Sequence, residues 1–281
     1  MSKFQTPLIS CQQLQSLLCN ENIIVLDASI PPIGAQPLPE SRWPEVCIAS
    51  AVKCDINDSF SDHSAASPHT MLSPEVFQHE ARAIGVNNES IIVAYDDLGM
   101  FSAARTWWMF KAMGHKNVYV LDGGLPQWIK LKLPTTAANK ENAPKQGNFD
   151  VHYQSQMFCD KEYVLHALNN NNVKIIDARS KGRFNGTEEE PRVGVRKGHI
   201  PNAQNLPFTN LLENGMFRSS EEVRKLLFKY ATTDQQLIMS CGSGVTACIL
   251  ALAADISGYS AITVYDGSWS EWGANHNLPL E

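Results

Sequence analysis

Short continuous apolar runs alternate along the chain with longer segments whose apolar residues recur at helical spacing. Ile23-Ile24-Val25-Leu26-Asp27, Ile91-Ile92-Val93-Ala94-Tyr95 and Val118-Tyr119-Val120-Leu121 have strand length and almost no polar face. That is the pattern of strands covered on both sides. Ala51-Val52-Lys53-Cys54-Asp55 is a candidate second strand. Residues 11–19 and 102–113 read as helices. Another helix begins at Ser73, with Ser73 as cap and Pro74 at the first helical position. Residues 29–47 are Pro-rich and irregular, and residues 56–72 form a long loop of Ser, Asp, His and Pro.

The second half repeats this order. Val173-Lys174-Ile175-Ile176-Asp177 matches the first strand, Asn205-Leu206 the second, Leu237-Ile238-Met239 the third and Ile262-Thr263-Val264-Tyr265 the last. Residues 219–230 and the apolar run from Ala247 to Ala254 read as helices. Gly114 and Gly258, Asp122 and Asp266, and Trp128 and Trp272 are each separated by 144 residues. Three pairs on one offset mark an internal duplication. The expected organisation is an N-terminal domain at 1–133, a linker at 134–158 where Pro134, Pro144, Gly147 and polar residues break the pattern, and a C-terminal domain at 159–281. Strand–helix alternation in both halves makes the fold class α/β, each domain a mainly parallel sheet flanked by helices.

The chemistry gathers at Ser240-Cys241-Gly242-Ser243-Gly244-Val245-Thr246. A strand ends, two glycines allow a tight turn, and a helix begins. Main-chain N–H groups at a helix start are unpaired and favour an anion. A cysteine placed there ionises readily, and the thiolate is the nucleophile. Cys248, one heptad on and inside the apolar helix, reads as core. Aligning strand ends sets Asp96 of the first half opposite Cys241. Asp96-Asp97-Leu98-Gly99 offers no nucleophile and too little glycine to wrap an anion, so the first domain is expected to be a structural half walling one side of the cleft.

A net charge of −6 and a pI near 5.8 argue against nucleic-acid or acidic-membrane partners. Apolar residues at 43% and charged residues at 19% describe a globular protein. No run is long enough to span a bilayer, and the first residues lack signal-peptide character. Seven cysteines, an odd count without C-x-x-C spacing, fit free thiols in a reducing cytoplasm and no metal site. A phosphatase of the cysteine type would need Arg six positions after the nucleophile, where Ala247 stands.

The Cys-Gly-Ser-Gly-Val-Thr loop resembles that of the tandem rhodanese-domain sulfurtransferases, and within them the 3-mercaptopyruvate sulfurtransferases. Ser102-Ala103-Ala104-Arg105-Thr106-Trp107-Trp108, Asp177-Ala178-Arg179, Gly182-Arg183-Phe184, Glu190-Pro191-Arg192, Gly198-His199-Ile200-Pro201 and Tyr265-Asp266-Gly267-Ser268-Trp269 carry the same resemblance. It implies two rhodanese-like domains, with Cys241 taking sulfur from 3-mercaptopyruvate as a persulfide, releasing pyruvate, and passing the sulfur to a thiol such as reduced thioredoxin or to cyanide. No cofactor is implied. Six loop N–H groups would stabilise the persulfide, with Gly242, Gly244, Val245 and Thr246 lining the substrate and Thr246 capping the helix. Arg183 and Arg192 match positions that hold the substrate's carboxylate and keto oxygen. Ser243 would join a relay with His69 and Asp58, Asp62 and His63 being alternates. Here the chain departs from the family pattern, because Thr70 separates His69 from Met71-Leu72 and the preceding loop is one residue shorter. Rhodaneses that use thiosulfate carry basic residues where this chain has Ser243 and Gly244, so the resemblance makes thiosulfate a side substrate. A non-catalytic persulfide carrier, which would need neither arginine, is the other alternative. His199 is expected to hold a turn, Asp177 and Arg179 to tie a strand end to the loop, and Trp269 and Trp272 to pack near the cleft.

Overall fold

The computed structural model describes residues 4–31, 46–137 and 144–281. The chain divides into two compact units, the first comprising residues 1–61, 72–154 and 214–216, the second 62–71, 155–213 and 217–281. Residues 62–71, from the long loop of the first half, thus belong with the second unit.

In the first unit the elements are β1 (Leu8–Ile9), α1 (Cys11–Leu17), β2 (Ile23–Asp27), β3 (Val46–Ile48), β4 (Val52–Lys53), α2 (Pro74–Ala83), β5 (Ile91–Tyr95), α3 (Ala103–Ala112), β6 (Val118–Leu121), α4 (Gly124–Lys130) and β7 (Thr135–Ala137). Five of the strands form one parallel sheet in the order β1-β6-β5-β2-β4. Every residue of β5 is buried, as a central strand covered on both faces requires. Trp107, Trp108 and Phe110 of α3 fill one side with Phe60 and Phe77, whose rings meet edge to face at 5.3 Å. Helix α2 starts as its sequence says. Ser73 Oγ accepts the Val76 N–H, and Pro74 stands where no N–H is needed.

The second unit holds β8 (Phe158–Cys159), α5 (Lys161–Ala167), β9 (Val173–Asp177), α6 (Lys181–Phe184), β10 (Gln204–Asn205), α7 (Ser220–Leu227), β13 (Gln236–Ser240), α8 (Ala247–Ile256), β14 (Ile262–Tyr265) and α9 (Ser268–Trp272), with the short strands β11 (Leu212–Glu213) and β12 (Met216–Phe217) before α7. Its parallel sheet runs β8-β14-β13-β9-β10, the order of the first sheet strand for strand. The duplication read from the 144-residue offset is therefore a duplication of topology. Helix α8 is apolar all round, and Ala247 to Ala254 are buried throughout, packed on β13, β14 and α7.

Several elements escaped the sequence pattern. β1 and β8 are two residues long, and α9 five, too short for any period to show, whereas β4 and β10 fall where the second strand of each half is expected. β3 lies partly in the stretch expected to be irregular and pairs antiparallel with β7; residues 32–45 of that stretch lie outside the described residues. The segment expected to be a linker is, at residues 144–154, an extended strap laced to the first unit. Gly147, Phe149, His152 and Gln154 donate their N–H groups to the carbonyls of Arg82, Val86, Met113 and Ala112. A Cβ at Gly147 would sit 2.0 Å from the Val86 carbonyl oxygen, so only glycine fits there. Among the described residues no helix is long and apolar enough to cross a membrane.

Candidate active site

Cys241 directly follows β13, at the carboxyl edge of the second sheet where ligands of parallel sheets bind. The turn between β14 and α9 fixes its backbone from three directions. The Cys241 N–H donates to Ser268 Oγ at 3.2 Å, the Trp269 N–H to the Cys241 carbonyl at 2.9 Å, and the Ser270 N–H to the Gly242 carbonyl at 2.8 Å. Gly244 turns the loop with φ +77°, a value glycine adopts without strain. Among the described residues the N–H groups of Gly242, Ser243, Val245 and Thr246 are assigned no protein acceptor. A loop of buried amides without protein partners suits an anion. The expectation that Thr246 caps α8 through its side chain is not met. Thr246 occupies the cap position, but its own backbone is already helical and its hydroxyl makes no capping bond. Cys248 is core as expected, yet it also serves the loop, its thiol lying 3.2 Å from the Gly244 carbonyl.

The thiol of Cys241 is only 1% exposed, but it does not sit among hydrocarbon alone. Burial pulls the nearby Arg192 guanidinium below the usual arginine range, with Cys241 and Glu190 acting against that pull and repulsion from Arg183 adding to it. The Arg183 guanidinium lies over Gly242, with Nη2 3.0 Å from the place a Cβ would occupy. Burial pushes Cys11 up to about 11 and Cys54 up to about 12.

The two arginines differ in their partners. Arg183 is held by Glu190, through Nη2 at 2.6 Å and Nε at 3.3 Å. Glu190 is 4% exposed and also accepts Arg179 Nη1 at 2.8 Å; Arg179 in turn pairs with Asp177 at 2.7 Å and stacks 4.4 Å from the Trp269 ring. This is a buried ladder of alternating charge, Asp177–Arg179–Glu190–Arg183, running from the end of β9 to the loop. Arg192 is half-buried; its carbonyl accepts the Val195 N–H, but among the described residues its guanidinium makes no hydrogen bond or ion pair. A buried guanidinium without a partner is costly unless an anion arrives. The residue-by-residue reading named the arginines but missed Glu190, whose role depends on a fold that brings positions 179, 183 and 190 together.

His69 reaches the loop. Its Nδ1 lies 3.1 Å from Ser243 Oγ, and both side chains are buried, at 5% and 3% exposure. Asp58 is exposed on a turn of the first unit, where its carbonyl accepts the Ser61 N–H. The alternate Asp62 caps its own turn. Ser64 donates to it through Oγ and N–H and holds the carboxyl below its ordinary range. The alternate His63 is exposed.

The first unit contains the same loop with a different filling. Leu125 donates to the Asp96 carbonyl as Trp269 does to that of Cys241. The Asp96 carboxylate, fully buried, accepts the N–H groups of Leu98, Phe101, Ser102 and Ala103 at 2.8–3.0 Å. The expectation that this loop has too little glycine to wrap an anion is therefore wrong. It wraps one that it carries itself, because a carboxylate on a short arm needs less room than an external ligand.

The rhodanese-like domain model matches residues 10–131 and 160–275, the two units in turn. The chain belongs to the rhodanese-like family. It is 38% identical over 268 residues to the 3-mercaptopyruvate sulfurtransferase of Mus musculus, covering 93% of this chain and 88% of that one. It is 33% identical over 296 residues to the mitochondrial thiosulfate/3-mercaptopyruvate sulfurtransferase 1 of Arabidopsis thaliana, covering 98% and 78%. The crystal structure of SseA from Escherichia coli, a 3-mercaptopyruvate sulfurtransferase, superimposes with a TM-score of 0.84 at 32% identity, over 94% of this chain and 99% of that one. This chain pairs a cysteine-bearing loop in its second unit with a carboxylate-filled loop in its first.

Proposed function

We propose that the protein is a 3-mercaptopyruvate sulfurtransferase, acting by double displacement at Cys241. The Cys241 thiolate attacks the substrate sulfur, forming an S–S bond. The C–S bond breaks, and its electron pair leaves as the enolate of pyruvate. The proton lost by the substrate thiol ends on the enolate carbon, carried through Ser243 Oγ and His69. In the second half-reaction a thiol acceptor, such as reduced thioredoxin, or cyanide takes the outer sulfur, and Cys241 returns as the thiolate. The loop amides hold the persulfide anion between the two steps.

The observation that carries this reading is the pairing of Cys241, in a loop where the N–H groups of Gly242, Ser243, Val245 and Thr246 are assigned no acceptor among the described residues, with Arg192, a half-buried cation whose guanidinium makes no hydrogen bond or ion pair there. A substrate with a carboxylate at one end and a sulfur at the other satisfies both groups at once, the fork of N–H donors on Arg192 taking the carboxylate. Thiosulfate presents no carboxylate, and Ser243 and Gly244 bring no charge to meet its second sulfonate oxygen. Seven free thiols support a reducing compartment such as the cytoplasm.

Turnover with mercaptopyruvate against thiosulfate tests the assignment. The expected result is a kcat/KM for mercaptopyruvate well above that for thiosulfate, and mass spectrometry after donor alone should find one additional sulfur on the peptide carrying Cys241. An equal or better rate with thiosulfate refutes the substrate. Sulfur that is carried but never turned over would mark a persulfide carrier.

A further inference from the structure

We infer that Asp266 is a positioning residue for the reaction, acting on His69 through the main chain of Met71. The inference rests on the relay just proposed and adds to it the group that brings His69 into reach.

The puzzle it resolves lies in the chain itself. Thr70 stands between His69 and Met71, displacing His69 by one residue from the spacing the family pattern leads one to expect. The ring nonetheless arrives 3.1 Å from Ser243 Oγ. It does so because His69 adopts φ +59°, in the left-handed region that residues with a Cβ seldom enter. Such a conformation persists only where the surroundings fix it. Three bonds do so here. The Thr70 carbonyl accepts the Asp62 N–H at 2.9 Å, and the Thr70 hydroxyl donates to the Ser67 carbonyl at 2.7 Å, closing the segment on itself. The third bond ties that closed segment to the sheet, the Met71 N–H donating to Asp266 Oδ2 at 2.8 Å.

Asp266 sits directly after β14, two residues before Ser268, which accepts the Cys241 N–H. One turn, Asp266-Gly267-Ser268, thus fixes the backbone bearing the nucleophile with one residue and the backbone bearing the imidazole with another. The register between Cys241 and His69 is set by a rigid three-residue turn. Asp266 touches no reacting atom in this arrangement. It acts by holding Met71, and so His69, at the height of Ser243.

The test combines an activity measurement with one that does not depend on activity. In Asp266→Ala the Met71 anchor is lost. kcat should fall about tenfold or more, the range over which a misplaced proton-transfer group acts, while KM for mercaptopyruvate stays within about twofold. Asp266→Asn keeps an acceptor oxygen and should recover most of kcat. The double variant His69→Ala/Asp266→Ala should be no slower than His69→Ala alone, as expected for two residues acting as one unit. Independently, His69 carbethoxylation by diethyl pyrocarbonate, mapped by mass spectrometry, should be slow in the wild type and in Asp266→Asn and about tenfold faster in Asp266→Ala, because the ring then leaves its buried position. Unchanged protection of His69 in Asp266→Ala, or effects on kcat that multiply with those of His69→Ala, overturn the inference. Should His69→Ala turn over like the wild type, the relay falls, while the protection of His69 still decides whether Asp266 positions it.

Discussion

The two units carry one loop built for negative charge and supply that charge in different ways. After β5 the amides close on Asp96, an anion fixed by the genetic sequence. After β13 the loop that follows Cys241 leaves the N–H groups of Gly242, Ser243, Val245 and Thr246 without an assigned acceptor among the described residues. One loop is complete on folding, and the other is completed by its chemistry. The next position sharpens the contrast. Asp97 follows Asp96, with a buried Oδ1 that has no hydrogen-bond partner, and its carboxyl is pushed up by burial and by the neighbouring Asp96 and Asp27. Gly242 follows Cys241, and the space a side chain would take holds the Arg183 guanidinium. On the proposed function, the duplicated scaffold gives a structural half whose anion site is filled and an active half whose site stands open next to cations.

The sharpest way to break the comparison is at Cys241. Cys241→Ser should reduce turnover to background and abolish the added sulfur mass, while the circular dichroism and melting temperature stay close to those of the wild type. Cys241→Asp should be equally inactive but melt higher than Cys241→Ser, because the first unit's solution has been transplanted. Next in size is Asp96→Ala. It strands four amides, two of them fully buried, and with each such charged bond worth about 1.5–3 kcal/mol the loss should reach about 3 kcal/mol or more in denaturant unfolding. Asp96→Asn should lose less. Arg192→Ala should raise KM for mercaptopyruvate roughly 10- to 100-fold with kcat little altered, the signature of a lost charged hydrogen bond to a carboxylate made equally in ground and transition states. The smallest effect is expected from Asp97→Asn, which should stabilise the protein at neutral pH. Asp97 has a raised folded pKa, so the native state holds its proton more tightly than the unfolded chain. That stability is present at low pH and is lost as pH rises from the ordinary aspartate range through the folded pKa. The gain from Asp97→Asn should therefore vanish in acid, which unfolding curves at two pH values would reveal.

Much of this was legible in the residues. The buried runs at 91–95 and 236–240 are unbroken by polar side chains except at their ends, so the central strands and the strand-to-helix switch at Cys241 follow from pattern alone. The doubled architecture follows from three residue pairs on one offset. What stayed hidden depends on bonds between residues far apart in sequence. A carboxylate at position 96 looks like a lost nucleophile until the amides of residues 98–103 are seen to converge on it. Histidine 69 appears misplaced by one residue because backbone handedness leaves no trace in composition. Glu190 reads as one of three consecutive surface acids, yet it alone of the three, at 4% exposure, turns inward to join two arginines. The strap at 144–154 has a linker's composition because its anchoring is made by main-chain groups, which every residue type supplies.

The unpaired amides around Cys241 carry a cost at rest that is relieved whenever a sulfur anion occupies them. On the double displacement proposed above, the Cys241 persulfide is such an anion, and although it stays attached in the unfolded chain, only the native loop offers it these hydrogen bonds. The molecule is therefore hardier towards heat and proteolysis while loaded than while waiting. Its lifetime becomes a record of how well it is supplied with donor.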